Sequence, residues 1–325
     1  MGTPYNPGIS LGSGQNNSAY FPQSIIDAGQ TFYVCSVAGA NVNTASSITQ
    51  YGTFVGSWAI GSDNPSSGSY NTPFATINYA NTQCVANRGD NIIVLPGHTE
   101  AISAAGGITL STNGVSVIGI GTGTLRPTIN WTATASTFLI SGDNVSVANL
   151  YMTPTGIDAV VAPIRLTSTN GGTFLSNCEM YFAKTSYVAL KNVVAATAAA
   201  ANNLVIDSCY LHGDAVANCT NAIQLVGGSN IKITNNRIIG NFTTTLGCIN
   251  NITAICANMI IQGNVLQNLT AVSTKVVVLL TGSTGTTITG NAIQILSGAA
   301  PFTADSAFWG NNYYAAILST SATLL

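Results

Sequence analysis

The sequence predicts an all-β fold: a right-handed parallel β-helix with a short N-terminal capping helix and an aromatic C-terminal cap. Three observations carry this. One short pattern recurs every 27–31 residues between residues 115 and 293. Each copy holds a bend-forming residue at one fixed place. Within the copies apolar residues alternate, the period of strands rather than helices.

Residues 1–30 are rich in Gly, Asn, Ser and Pro and read as an N-terminal arm or leader, with Tyr5, Tyr20 and Phe21 as possible anchors. Residues 31–100 form a lead-in and capping region with the first rung. There Thr72 and Pro73 are suited to cap and begin a helix. Its apolar face would hold Phe74, Ile77 and Cys84. Arg88-Gly89-Asp90 then turns the chain into the strand Asn91-Ile92-Ile93-Val94-Leu95, stopped by Pro96-Gly97.

Residues 101–300 carry the repeat: apolar, any, apolar, any, small, small or Asn, any, apolar. The third residue of each copy is an anchor: Val117, Val147, Leu175, Ile206, Ile233, Ile261 and Ile288. Two residues later stand Gly119, Asn149, Asn177, Ser208, Asn235, Gly263 and Gly290, mostly types that tolerate a left-handed backbone. One place further on, the last three copies have Asn236, Asn264 and Asn291. Rungs lie about 4.8 Å apart, so these amides can hydrogen-bond up the stack and satisfy buried backbone at the bend. Five residues after the anchors come Thr122, Met152, Met180, Leu211, Ile238, Leu266 and Ile293, facing inward. Each copy therefore reads as strand, one-residue bend, strand. A further apolar strand precedes each anchor, at 107–110, 136–140, 163–166, 187–190, 222–225, 253–256 and 276–280. Lys191–Asn203 reads as a loop insertion on one edge. A leucine-rich repeat is shorter and a propeller blade longer. Residues 301–325 leave the repeat. Phe308, Trp309, Tyr313 and Tyr314 make that segment a cap for the open end or an oligomer contact.

Composition excludes several functions. Eight basic and ten acidic residues give a net charge of −2 in 325 residues. That leaves no basic footprint for nucleic acid. No run of about 18 apolar residues exists for a membrane-spanning helix. The N-terminus shows no basic segment followed by an apolar stretch, so export by the general route is not expected. The seven cysteines include no CxxC pair; they read as packed thiols, although Cys178 and Cys209 stack in one inward column. No metal or other cofactor is expected. Gly-rich runs such as residues 119–123 do not lead into a helix, so a phosphate site is not expected either.

The order TFYVCS (31–36), GSDN (61–64), TPFATINYA (72–80) and GDNIIVLPGHTE (89–100) resembles the start of pectate-lyase-like right-handed β-helix proteins. The continuation GVSVIGIGTGTLRPTINW (114–131) and SGDNVSVANLYM (141–152) is similar to β-helix structural proteins of tailed bacteriophages. The resemblance covers roughly residues 30–300. It implies a non-enzymatic virion protein, assembled in the host cytoplasm and exposed on the particle as capsid decoration, head fibre or tail appendage. It further implies a homotrimer touching other virion proteins such as the major capsid protein. Host-surface or environmental glycans are possible ligands.

Enzymes of this fold use acidic groups on the helix exterior, and glycoside hydrolysis needs two carboxylates about 5–9.5 Å apart. Glu179 and Asp207 are the candidate catalytic pair, outward on adjacent rungs but on different sides of the bend. Asp207, His212 and Asp214 surround one corner. The column of Glu179 also holds Tyr151, Tyr210 and Arg237, a candidate glycan-contact strip. His98 and Glu100, two apart on one side of a strand, supply at most half a metal site. A polysaccharide-degrading tailspike or lyase is therefore the alternative reading, and a cellular surface adhesin the second.

Overall fold

A computed structural model of the chain describes residues 29–36, 58–157, 159–181, 188–189, 191–212, 219–242, 247–251, 253–269, 275–295, 302–303, 307–318 and 321–324, the side chains of 188–192 and 314–324 excepted. The arm at 1–28 and Asp214 lie outside the described residues.

The strands stack into three long sheets, forming a parallel β-solenoid. The anchor sheet has ten strands, from Thr31–Val34 to Ala307–Gly310. The second sheet follows the bend and has ten, from Thr99–Ile102 to Ser321–Leu324. The third has eight, from Ile108–Leu110 to Phe302–Thr303. Each anchor pairs with the next in register, Val147 with Leu175, Leu175 with Ile206, Ile206 with Ile233. Alternation sends every anchor inward, and all seven are at most 1% exposed. Deep burial of one apolar column per strand is the main source of stability here.

The bend is left-handed at Asn149, Asn177, Ser208 and Asn235, with φ of 48–56°, and at Gly263 and Gly290. A second left-handed column stands three residues before the anchors: Gly114, Asn144, Gly172, Asn203, Asn230, Asn258 and Gly285, with φ of 53–79°. Its N–H groups donate to carbonyls of the next coil, as Asn203 does to Ser229 and Asn230 to Ala257, both at 2.9 Å. Only Gly and Asn occupy those seven places, so this corner has a sequence signature of its own.

The inward amide ladder forms. Asn236 Nδ2 donates to Asn264 Oδ1 (3.0 Å) and Asn264 Nδ2 to Asn291 Oδ1 (2.9 Å). The ladder continues to Asn312, whose Oδ1 accepts from Asn291 Nδ2 at 2.9 Å. At its other end Asn236 Oδ1 accepts the Cys209 N–H.

Five expectations are corrected. The capping helix α1 spans Ile77–Gln83, with Thr76 rather than Thr72 as its cap. Thr72 to Phe74 instead lie beside the first strand, where Phe74 bridges Val34 and its N–H donates to Tyr33. Asp63 takes the N–H groups of Ala75 and Thr76, Glu100 takes that of Ile77 and Thr76 Oγ1 that of Tyr79, which partners most of the start of α1. In the first copy, Gly119 does not make the bend. The chain runs on through a 3₁₀ turn, Gly123–Leu125, and Ile129 takes the inward place beside Met152 while Thr122 is exposed.

Lys191–Ala195 is not a loop insertion but the third-sheet strand of its coil, Val193 pairing with Ile164. Val188–Ala189 pairs separately with Ala159–Val160. Likewise Ile249–Asn251, not residues 253–256, occupies the third sheet next to Asn221–Leu225. Finally, the repeat does not stop at residue 300. Ala307–Gly310 and Tyr313–Leu318 add a further rung to the first two sheets, with Asn311 as its left-handed bend. Trp309 pairs with Ile288 only 21 residues behind it, so the shortened coil hid the match. Ser321–Leu324 then reverses and pairs antiparallel with Tyr313–Leu318, covering the last edge of the second sheet. Phe308, Trp309 and Tyr313 are exposed on this terminal rung.

Candidate functional site

Met180, Leu211 and Ile238 point into the core from consecutive strands of the second sheet. Alternation therefore turns Glu179 and Tyr181, Tyr210 and His212, and Arg237 outward. Register aligns Tyr151, Glu179, Tyr210 and Arg237 as one column along the solenoid axis. Tyr181 stands beside His212 in the neighbouring column. The predicted glycan-contact strip is thus assembled as a geometric unit.

Arg126 completes the cluster. It leaves the 3₁₀ turn that Asn149 Nδ2 pins through the carbonyls of Gly119 and Gly121, at 2.8 and 3.0 Å. From there its Nη1 reaches Glu179 Oε2 at 3.1 Å and its Nη2 donates to the Asn177 carbonyl. His212 Nε2 lies 3.4 Å from Glu179 Oε1. That approach lacks hydrogen-bond alignment, and both His212 Nε2 and Arg126 Nε are buried without a hydrogen-bond partner among the described residues. Tyr210 is held between Arg237, 4.7 Å above its ring, and the His212 imidazole. Tyr181 meets His212 edge-on, with ring centroids 5.0 Å apart. Burial, with Arg237 close by, pushes the His212 imidazole down to about 4, so it is neutral at pH 7. Burial also pushes the Tyr151 phenol up, and the Glu179 charge adds to it.

Glu179 and Asp207 are not brought together. Asp207 sits in the anchor sheet, between Ser176 and Thr234. Its oxygens accept from Thr234 Oγ1 (2.6 Å), Ser208 Oγ (2.8 Å) and Asn235 Nδ2 (2.9 Å). The Thr234 bond, aided by Ser208 and Asn235, holds the carboxyl below the usual range against partial burial. Asp207 is thus a rung of the polar bend. Asp143 plays a similar turn role, accepting from Asn170 N–H and Nδ2.

His98 and Glu100 form a buried pair, Nε2 to Oε2 at 3.2 Å, while His98 Nδ1 accepts the Ser36 N–H. They tie the first strand, α1 and the second sheet together. Among the described residues no group of three His, Cys, Asp or Glu side chains is placed to hold a metal ion. No described helix is long and apolar enough to cross a membrane. All seven cysteines are free thiols.

Sequence reasoning missed Tyr181 and Arg126. Tyr181 and His212 each stand six residues after their anchors, a signal that would have paired them. Arg126 arrives from an irregular turn with no periodic signature. Compared with protein-family models, curated proteins and solved structures, the chain matches none.

Proposed function

We propose that the chain is a non-enzymatic structural protein of a tailed-bacteriophage particle, exposed on the exterior as capsid decoration, head fibre or tail appendage. One observation carries the reading: the chain forms continuous parallel sheets whose corner polar groups are bonded from coil to coil. Such a stack is a stiff rod whose backbone offers few openings to proteases. The lead-in and repeat motifs that resemble phage β-helix proteins supply the particle. The separation of Asp207 from Glu179 weighs against a two-carboxylate hydrolase. Exposed Phe308, Trp309 and Tyr313 on the terminal rung suit contacts in a homotrimer or with another virion protein.

The test is mass spectrometry of purified, DNA-filled particles of the encoding phage, with copy number measured against the major capsid protein. Hundreds of copies identify a decoration protein, and a few to a few tens a fibre or appendage. Absence from the particle overturns the proposal and advances the enzyme and adhesin readings.

A further inference from the structure

We infer that Cys178 and Cys209 are an oxidation site, at which hydrogen peroxide converts the two buried thiols into a disulfide joining adjacent coils of the solenoid. The inference does not depend on where the protein resides, so it can fail or stand independently of the virion reading.

Position is the first argument. Ser176 pairs with Asp207 and Glu179 with Tyr210, so Cys178 lies beside Cys209 of the neighbouring coil. They stand two places before the inward residues Met180 and Leu211 and are themselves buried. Rungs repeat about every 4.8 Å, within the separation of about 4.4–6.8 Å that disulfide-linked Cα atoms show. The Cβ atoms of a disulfide lie somewhat closer, about 3.5–4.5 Å apart. The bend can supply that movement, since residues 177–178 and 208–209 lie between strands rather than within them. No other two cysteines pair across a rung among the described residues. Cys219 stands beside Phe242 and Cys256 beside Gly228, and Cys248 comes one place before Ile249, the partner of Ile223.

The ladder is the second. Cys178 and Cys209 hold the inward corner that Asn236, Asn264 and Asn291 hold farther along. The Cys209 N–H donates to Asn236 Oδ1 at 2.9 Å, so the two cysteines continue the ladder beyond its last amide. Asparagine links its coils there by amide hydrogen bonds. A thiol is a weak donor and a weak acceptor. Cys178 Sγ lies 3.7 Å from the Val147 carbonyl oxygen and Cys209 Sγ 3.4 Å from that of Asp207. A covalent bond between the sulfurs joins the coils at the end where the amides stop.

Reactivity is the third. The thiolate is the attacking form, and burial ordinarily suppresses it. Burial pushes Cys84 up to about 12 and Cys256 up to about 11, and it raises Cys248. Cys178 is instead held below an ordinary thiol, chiefly by a hydrogen bond from the Cys209 thiol and further by the nearby Arg126 guanidinium. The same bond raises Cys209. Cys178 is therefore the nucleophile. Its thiolate attacks one peroxide oxygen, the O–O bond breaks, and the departing hydroxide takes up the proton that Cys178 lost. A sulfenic acid and one water result. The Cys209 sulfur then attacks the Cys178 sulfur, and the S–O bond breaks. The leaving hydroxide takes the Cys209 proton as a second water. Two thiols and one peroxide thus give one disulfide and two waters. A reducing cytoplasm keeps such a pair open, and an oxidising exterior closes it.

The experiment treats the reduced, native full chain with a small excess of hydrogen peroxide, alkylates the remaining thiols after unfolding, and maps the products by mass spectrometry. Trypsin cuts after Lys184 and Lys191, between the two cysteines, so a Cys178–Cys209 bond holds two peptides together until it is reduced. Two of the seven thiols are expected to resist alkylation, and the intact chain is expected to lose about 2 Da. Fragment ions are expected to place the bond at Cys209 rather than at Cys219 of the same peptide. Cys209→Ser is expected to abolish the bond and leave Cys178 as a sulfenic acid, about 16 Da heavier and trapped by dimedone. Cys178→Ser is expected to leave Cys209 unmodified. If either variant fails to fold, the wild-type map decides. Full alkylation of all seven thiols after peroxide, a bond formed only in urea, a bond to any other cysteine, or further oxidation of Cys178 without a bond would each overturn the inference.

Discussion

Replacing Asn264 by alanine probes the internal ladder directly. Asn264 is 1% exposed. Its Nδ2 donates to the Ile233 carbonyl at 2.8 Å and to Asn291 Oδ1, and its Oδ1 accepts the Asn236 N–H at 2.9 Å and Asn236 Nδ2. Two of these partners keep other bonds after N264A: Asn236 Nδ2 retains the Ile206 carbonyl, and Asn291 Oδ1 retains the Asn264 N–H. The Asn236 N–H and the second bond to the Ile233 carbonyl are lost inside the core. At roughly 1–3 kcal/mol for each buried group left short of a partner, N264A should cost about 2–6 kcal/mol. Asn230, whose exposed Nδ2 reaches Asn203 Oδ1 at 3.3 Å, is the control; N230A should cost only about 1–2 kcal/mol, chiefly because alanine takes the left-handed backbone at φ 56° less readily than asparagine. Urea unfolding reads the loss, and hydrogen exchange locates it. A local loss of about 4 kcal/mol speeds exchange of the Asn236 amide by about three orders of magnitude. Equal effects of N264A and N230A would refute the ladder as a source of stability.

Gly171→Ala drives a Cβ into the Asn202 carbonyl oxygen at φ +81°, and should cost at least about 2 kcal/mol. Gly123→Ala, at φ +56° with nothing within 4 Å, should cost only about 1 kcal/mol; urea midpoints compare the two. Asp207 has a lowered folded pKa, so its contribution is present above the unfolded value near 3.9 and disappears as pH falls through the folded one. Asp207→Asn should therefore flatten the acid limb of the melting-temperature profile below about pH 4 while lowering stability at neutral pH. His212 is lowered to about 4, so the unfolded chain binds more protons between that value and the unfolded value of about 6.5. Stability should fall as pH drops through that window, and His212→Gln should remove the slope; an unchanged slope refutes the burial argument.

How far the fold was legible follows from what repeats. Val117 to Ile288 could be read as one inward column because side chains alternate with period two and coils recur at nearly constant length. The same constancy placed Asn236, Asn264 and Asn291 at one corner and Tyr151, Glu179, Tyr210 and Arg237 in one outer line. Legibility ended where coil length changed. The long turn before Thr128, the choice of Lys191–Ala195 over residues 187–190, and the short coil ending in Asn311 and Asn312 all depend on which strand a segment lies against.

By itself, then, the sequence determined the solenoid, its register and its ladders, since these follow from local backbone preference and side-chain period. Only the tertiary structure decided that Arg126 crosses from an irregular turn to Glu179, that His212 is buried beside it, and that Asp207 is bonded away from both. Of these contacts, that of Arg126 joins segments with no common period. They depend on the three-dimensional path of the turns, on burial and on the competition among hydrogen-bond partners, which residue spacing does not encode.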